Sequence, residues 1–249
     1  MAFYLKYRPQ RIADFDLVEV RDKVGRILQS NHLPHAFLFA GPRGVGKTSM
    51  ARLVAKSLNC PNVQKGEPCG QCEVCRAIAK GNFLDVLEID AASNRGIDDI
   101  RDLKEKVNLA PSRGKYKVYI IDEVHMLSLS AFNALLKTLE EPPKYAIIIL
   151  ITNNKKSLLD TIKARCESIK FTPIPLVEVA DYLTQTGVEK NRASLLANLS
   201  RVSMQKAIEL SESEDFHIMR DEVQKYVETF LTGSMLDIMD IQSSIEKYK

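Results

Sequence analysis

The run Gly41-Pro42-Arg43-Gly44-Val45-Gly46-Lys47-Thr48 constrains this chain more than any other stretch. It satisfies G-x-x-x-x-G-K-[ST], and its surroundings suit that motif. Ala36 to Ala40 reads as a buried strand before it, and Ser49 to Leu58 as a helix after it. Glycines let successive backbone N–H groups converge on phosphate oxygens with no Cβ in the way. The helix start adds partial positive charge at the same point. Gly41, Gly44, Val45, Gly46, Lys47, Thr48 and Ser49 are therefore the candidates for holding a nucleotide's phosphates. Lys47 is expected to reach the β- and γ-phosphates and Thr48 to sit on Mg²⁺.

A second element fits the first. Lys117 to Ile121 reads as a strand that ends in Asp122-Glu123, about 75 residues beyond the loop, in a chain that alternates strand and helix. Asp122 is expected to hold Mg²⁺, and Glu123 to act as general base toward an attacking water. Alone, such a pair is as readily two solvated carboxylates. Another strand, Ala146 to Ile151, leads into Thr152-Asn153-Asn154, where a polar side chain can orient the water. The Asn-Asn-Lys-Lys run contains no N-K-x-D, so ATP is expected rather than GTP.

Cys60, Cys69, Cys72 and Cys75 are spaced C-x8-C-x2-C-x2-C, with Pro61, Gly66, Pro68 and Gly70 supplying turns. Four thiolates in so short a span fit a closed, tetrahedral, structural zinc site. An iron–sulfur cluster and four free thiols are the rival readings. Cys166 stands apart and reads as a packed thiol. His32 and His35 read as loop residues.

Charge separates the possible partners poorly. The 35 basic and 32 acidic residues leave a net charge of +3, too near neutral to argue nucleic-acid binding from composition. No apolar run approaches a membrane span, and the N-terminal segment lacks a signal peptide's apolar stretch. A cytoplasmic protein with no membrane partner is expected.

Helical patterns are read at Asp22–Gln29, Asp98–Val107, Ser130–Glu141 and Leu158–Arg165, and strands at Phe83–Ile89 and Ser168–Phe171. Past Pro173 and Pro175 only helices follow, at 176–186, 192–200, 203–211, 222–231 and 235–248. The expected architecture is α/β. A P-loop domain at 1–172 has a parallel sheet flanked by helices and a cysteine module inserted at 60–75. A small all-helical lid follows at 173–213, then a short helical segment at 214–249.

Taken together, these stretches resemble the bacterial clamp-loader AAA+ subunits of DNA polymerase III. GPRGVGKTSMARLVAKSLNC, LEIDAASNRGIDDIRDL, KVYIIDEVHMLSLSAFNALLKTLEEPP and Ala164-Arg165-Cys166 carry the resemblance, which covers roughly residues 4–215. It implies that Tyr7, Arg8 and Pro9 lie against the adenine and that Asn153 occupies the sensor-1 position. It also implies that Arg165 acts as an arginine finger in a neighbouring subunit's site; on its own, Arg165 reads as a helix-terminal charge. The implied cofactors are ATP, Mg²⁺ and Zn²⁺. The implied partners are other clamp-loader subunits, the sliding clamp and primed DNA.

One departure from the family pattern and one likeness set the subtype expectation. Gamma subunits carry Gly-Ser-Met-Arg-Asp-Ala, whereas this chain reads Val202-Ser203-Met204-Gln205-Lys206-Ala207, and a neutral Gln205 cannot replace an arginine on phosphate. Tyr182-Leu183, Gly187-Val188, Leu195-Leu196-Ala197, Leu199-Ser200 and the passage into Glu214-Asp215-Phe216 resemble delta-prime more than gamma. A delta-prime-like subunit with weak ATP turnover of its own is therefore expected. The alternatives are a gamma/tau-type motor and, more distantly, an AAA+ ATPase of repair or initiation. The segment from Asp215 is too short for the family's collar domain, so either a truncated chain or a shortened form is expected.

Overall fold

The run Ala146 to Thr152, rich in isoleucine, is buried at every position and forms the middle of the sheet. β-Branched side chains suit extended backbone, and only a strand covered on both faces reads as an unbroken apolar run. The computed structural model describes residues 9–30, 32–93, 107, 109–200 and 204–213, with residues 216, 218, 221, 223, 224, 227 and 228. By its contacts the chain divides into two units, Met1–Ile174 and Pro175–Lys249.

In the first unit the described elements are α1 (Val18–Gln29), β1 (Ala36–Ala40), α2 (Lys47–Asn59), α3 (Glu73–Lys80), β2 (Val86–Asp90), β3 (Lys117–Asp122), α4 (Leu129–Glu140), β4 (Ala146–Thr152), α5 (Asp160–Arg165) and β5 (Glu167–Lys170). The sheet runs β2-β3-β4-β1-β5, and every pairing is parallel. Ala40 is level with Thr152, and Asp90 with Asp122, so several strands end along one edge.

Strand alternation divides the core in two. Phe37, Phe39, Val118, Ile120, Ile147 and Ile149 pack with Val24, Met50, Leu53 and Val54. Leu38, Tyr119, Ile121, Ile148 and Leu150 pack with Phe132, Leu135, Leu139 and Ile162 on the other side. Each fully buried branched side chain contributes roughly 1.5–3 kcal/mol, so β4 alone anchors both layers. The Ser128 side chain caps α4 by accepting from the Ala131 N–H, and the helix stops before Pro142-Pro143.

The second unit has α6 (Leu176–Gln185), α7 (Lys190–Leu199) and α8 (Met204–Glu212). Val179, Leu183, Ala193, Leu196, Ala197 and Ala207 are its buried apolar side chains among the described residues, and Ser200 is buried as well. Gly187, at φ +97°, ends α6 in a Schellman turn: its N–H reaches Thr184 O, and the Val188 N–H reaches Leu183 O.

Several boundaries differ from the sequence expectation for local reasons. Helix α1 begins at Val18 rather than Asp22, its first turn closed by the Arg21 N–H on Leu17 O. Strand β2 begins at Val86 because Phe83 to Val86 forms a turn, Val86 N–H to Phe83 O, that sends Asp85 inward. Helix α3 begins inside the cysteine module at Glu73 and runs past it to Lys80, where the sequence reading places no helix. The expected helix at Asp98–Val107 and the helices beyond 222 fall largely or wholly outside the described residues, as do Tyr7 and Arg8.

Candidate functional site

Parallel strands deliver their C-terminal ends, and the loops after them, to one edge. The loop after β1 carries Gly44 at φ +85° and Gly46 at φ +86°. A side chain at Gly41 would collide with Phe171 O, so only glycine lets the loop leave β1 against the end of β5. Lys47 is nearly buried and donates to Gly41 O at 2.8 Å and Pro42 O at 2.6 Å. Burial holds its ammonium below the usual range, and Asp122 and Glu123 oppose that shift. Val45 is buried, while Thr48 and Ser49 lie in the first turn of α2.

β4 lies between β1 and β3, so the residues after β4 sit between the phosphate loop and the acidic pair. The Thr48 hydroxyl donates to Asp122 Oδ2 at 2.7 Å. A divalent cation held by hydroxyl and carboxylate oxygens fits this pair. Glu123 adopts φ +48°, and Asn153 Nδ2 approaches its Oε1 at 3.5 Å. The other oxygen, Oε2, is buried with no hydrogen-bond partner among the described residues; His125 Nδ1 stands 3.5 Å away, too poorly placed to count as one. That oxygen is available to accept from a water. Asp122 and Glu123 thus lie near Lys47, Asp122 is hydrogen-bonded to Thr48, and Asn153 reaches Glu123.

Two residues go beyond that expectation. Thr152 Oγ1 contacts His125 Nδ1 at 3.1 Å and accepts from the Asn154 N–H, which fixes the turn that aims Asn153. His125 has no periodic signal; only its position two residues after Glu123 hints at it. Arg165 ends α5, donating to Glu140 Oε1 at 2.8 Å and Thr161 O at 3.0 Å. These bonds are exposed, and Arg165 is not among the residues gathered around Lys47. Pro9 is half-buried.

The four cysteines form a second site. Their Sγ atoms lie within 4.8 Å of one another, and Cys60 and Cys72 are 3.9 Å apart. Tetrahedral Zn–S bonds of about 2.3 Å require sulfurs about 3.8 Å apart, so these residues could hold one such ion. Backbone N–H groups of Cys69, Cys72 and Cys75 point at the sulfurs of Cys60, Cys69 and Cys72. N–H groups of Gln71 and Cys72 draw the Cys69 thiol down, while burial pushes Cys75 up. Cys166 is a packed thiol against the second core layer, raised to about 11 by burial.

A family model described as DNA polymerase III, delta subunit, matches residues 18–175. The DNA polymerase III subunit tau of Bacillus subtilis is 44% identical over 219 residues, covering 84% of this chain and 38% of that protein. Subunit tau of Escherichia coli is 44% identical over 214 residues, covering 83% of this chain and 33% of that one. The chain thus spans less than half the length of these relatives. The RuvB Holliday junction branch migration motor of Thermotoga maritima superposes with a TM-score of 0.56 at 18% identity, covering 98% of this chain and 73% of its own. That likeness shows the fold alone, an α/β fold with a five-stranded parallel sheet. The delta-prime expectation is corrected by the tau relatives. It rested on Gln205 and a short run of lid residues, and similarity across more than 200 residues outweighs them. The chain belongs to the clamp-loader subunit family of DNA polymerase III, and the relatives named above are tau rather than delta-prime subunits.

Proposed function

We propose that this chain is a gamma/tau-type ATPase subunit of the clamp loader. It would bind ATP with Mg²⁺, hydrolyse it within a hetero-oligomer, and use the cycle to place the sliding clamp on primed DNA. The observation that carries this reading is the meeting of Lys47, Thr48, Asp122, Glu123 and Asn153 at the ends of three neighbouring strands. Lys47 and the amides of 41–49 hold the phosphates, with Tyr7, Arg8 and Pro9 against the adenine. Thr48 and Asp122 hold the metal, which neutralises charge on the phosphates. Glu123 accepts the water's proton, and Asn153 orients that water. Arg165 serves the neighbouring subunit's site; its exposure at the end of α5 supports this. The helices beyond residue 175 act as the lid.

The cysteines hold a structural zinc. Their close spacing supports one ion over a polynuclear cluster, whose irons would keep the sulfurs further apart. No position stays open for catalysis. Among the described residues no helix is long and apolar enough to cross a membrane, in keeping with cytoplasmic work on DNA.

The test is ATP turnover by the chain mixed with the other loader subunits. Glu123→Gln should lower kcat by 100-fold or more while leaving nucleotide affinity within about threefold. Unchanged turnover in that variant would refute the motor reading.

A further inference from the structure

The cysteine module reaches the phosphate loop through a chain of contacts. Gln64 and Glu67 exchange both backbone hydrogen bonds, Gln64 N–H to Glu67 O at 3.1 Å and Glu67 N–H to Gln64 O at 2.9 Å. Between them Lys65 and Gly66 both have positive φ, +48° and +76°. This is a two-residue primed turn, the tightest and most rigid hairpin connection. The Ser57 hydroxyl from α2 pins it by donating to Gly66 O at 2.5 Å. Pro68, which is buried, and the cluster residue Cys69 follow directly. Glu67 is therefore held from both sides.

Its carboxylate accepts from the Ile12 N–H at 2.9 Å, across 55 residues of sequence. Ile12 opens a 3₁₀ turn, Ile12–Asp14, whose N-cap residue Arg11 makes no side-chain cap. Glu67 supplies that cap from a distant part of the chain, with the charge sign that a helical N-terminus favours. Beside it, buried Lys56 donates to Gln10 Oε1 at 2.7 Å. The 3₁₀ turn ends at Phe15, whose N–H bonds to Ile12 O. The Phe15 ring lies on the phosphate loop itself: a Cβ at Gly46 would meet it at 2.8 Å. Phe15 also packs edge-on against Phe171, the residue that backs Gly41.

We propose that Glu67 is a positioning residue for nucleotide binding, capping the Ile12 turn so that Phe15 holds Gly46 in its left-handed, phosphate-receiving conformation. This rests on the reading of residues 41–48 as a nucleotide site. The cysteine module is then a brace for the segment that crosses that site, rather than an independent knob. The role depends on hydrogen-bond acceptance and requires no proton transfer.

The experiment uses the whole chain with its metal content measured, and the variants Glu67→Ala and Glu67→Gln. Magnesium with a fluorescent ATP analogue gives affinity, and amide exchange at Ile12 gives the state of the turn. Glu67→Ala should keep its metal, release the Ile12 amide at least tenfold, and weaken nucleotide binding about five- to tenfold, the scale of one partly exposed charge-assisted hydrogen bond. Glu67→Gln, whose amide oxygen still accepts, should recover most of both losses. Unchanged affinity in a variant whose Ile12 amide has been released would overturn the proposal alone. So would an affinity loss that follows metal loss equally in both variants. Failure of the unaltered chain to bind the analogue would overturn the nucleotide reading and the proposal with it.

Discussion

Asp85→Asn should destabilise the first unit by about 2 kcal/mol at neutral pH, and by much less once the pH has fallen through the lowered folded-state pKa of Asp85. Asp85 is 2% exposed. Its carboxylate accepts from the N–H groups of Ser112 at 2.8 Å, Arg113 at 2.8 Å and Gly114 at 2.7 Å, fastening the loop before β3 to the start of β2. Burial alone would raise this acid, but the three donors outweigh it and hold it below the ordinary aspartate range. A hydrogen bond to a charged partner contributes roughly 1.5–3 kcal/mol, but the three share one carboxylate and do not add. Ser112 and Arg113 are exposed, so water can reach donors left unpaired, which keeps the loss near that of a single bond. The sign follows from the lowered folded-state pKa. The stabilisation is fully present above the unfolded value near 3.9 and is lost as pH falls through the lower folded value. Urea unfolding followed by far-ultraviolet circular dichroism at pH 7 and at about pH 2 measures it. At about 2–3 kcal/mol per molar, the midpoint should fall by somewhat under 1 M at pH 7. Asp85 immediately precedes β2, and Asp90, level with Asp122, ends it roughly 16 Å away. Nucleotide affinity of the folded variant should therefore be unchanged. A loss below 0.5 kcal/mol at pH 7, or an equal loss at both pH values, would refute the reasoning.

Gly46→Ala combines a backbone at φ +86° with a contact on the Phe15 ring at 2.8 Å. It should cost about 1–3 kcal/mol in a thermal melt and weaken nucleotide binding tenfold or more; a melt within 1 °C of the parent would count against this geometry. Stripping metal with a chelator should release about one zinc per chain and lower the melting temperature markedly, whereas removal without any change in melting would exclude a structural role.

Some of this is legible in the residues and some is not, and distance along the chain explains the difference. The P-loop, β4 and the Asp122-Glu123 strand end are local patterns, read from seven or eight neighbours. Asp85, Glu67 and Phe15 act on partners 27 to 55 residues or about 30 residues away, and nothing near them in sequence marks the contact. Helix α3 was hidden for another reason. It is only eight residues long, and its N-cap is Cys72, whose sulfur accepts from the Cys75 N–H, a role usually read from Ser, Thr, Asp or Asn. The subtype expectation failed because Gln205 and a short run of residues between Tyr182 and Phe216 were weighed above the similarity of the rest of the chain to tau subunits.

The adjacency of Asp122 and Glu123 raises a geometric problem that the backbone solves. In a continued strand, consecutive side chains point to opposite faces, and only one carboxylate could serve the site. Here β3 stops at Asp122, and Glu123 turns into the left-handed region, φ +48° and ψ 39°. For a residue with a Cβ this costs on the order of 1–2 kcal/mol. The Glu123 N–H bonds Asp122 Oδ1 at 2.8 Å, and Glu123 O accepts from the Met126 N–H at 2.8 Å, offsetting that cost locally. The first of these bonds leaves Asp122 Oδ2 facing Thr48, while the turn carries Glu123 toward Asn153. One strained residue thus lets neighbouring carboxylates face different partners at the same strand end: Asp122 toward the Thr48 hydroxyl, Glu123 toward Asn153.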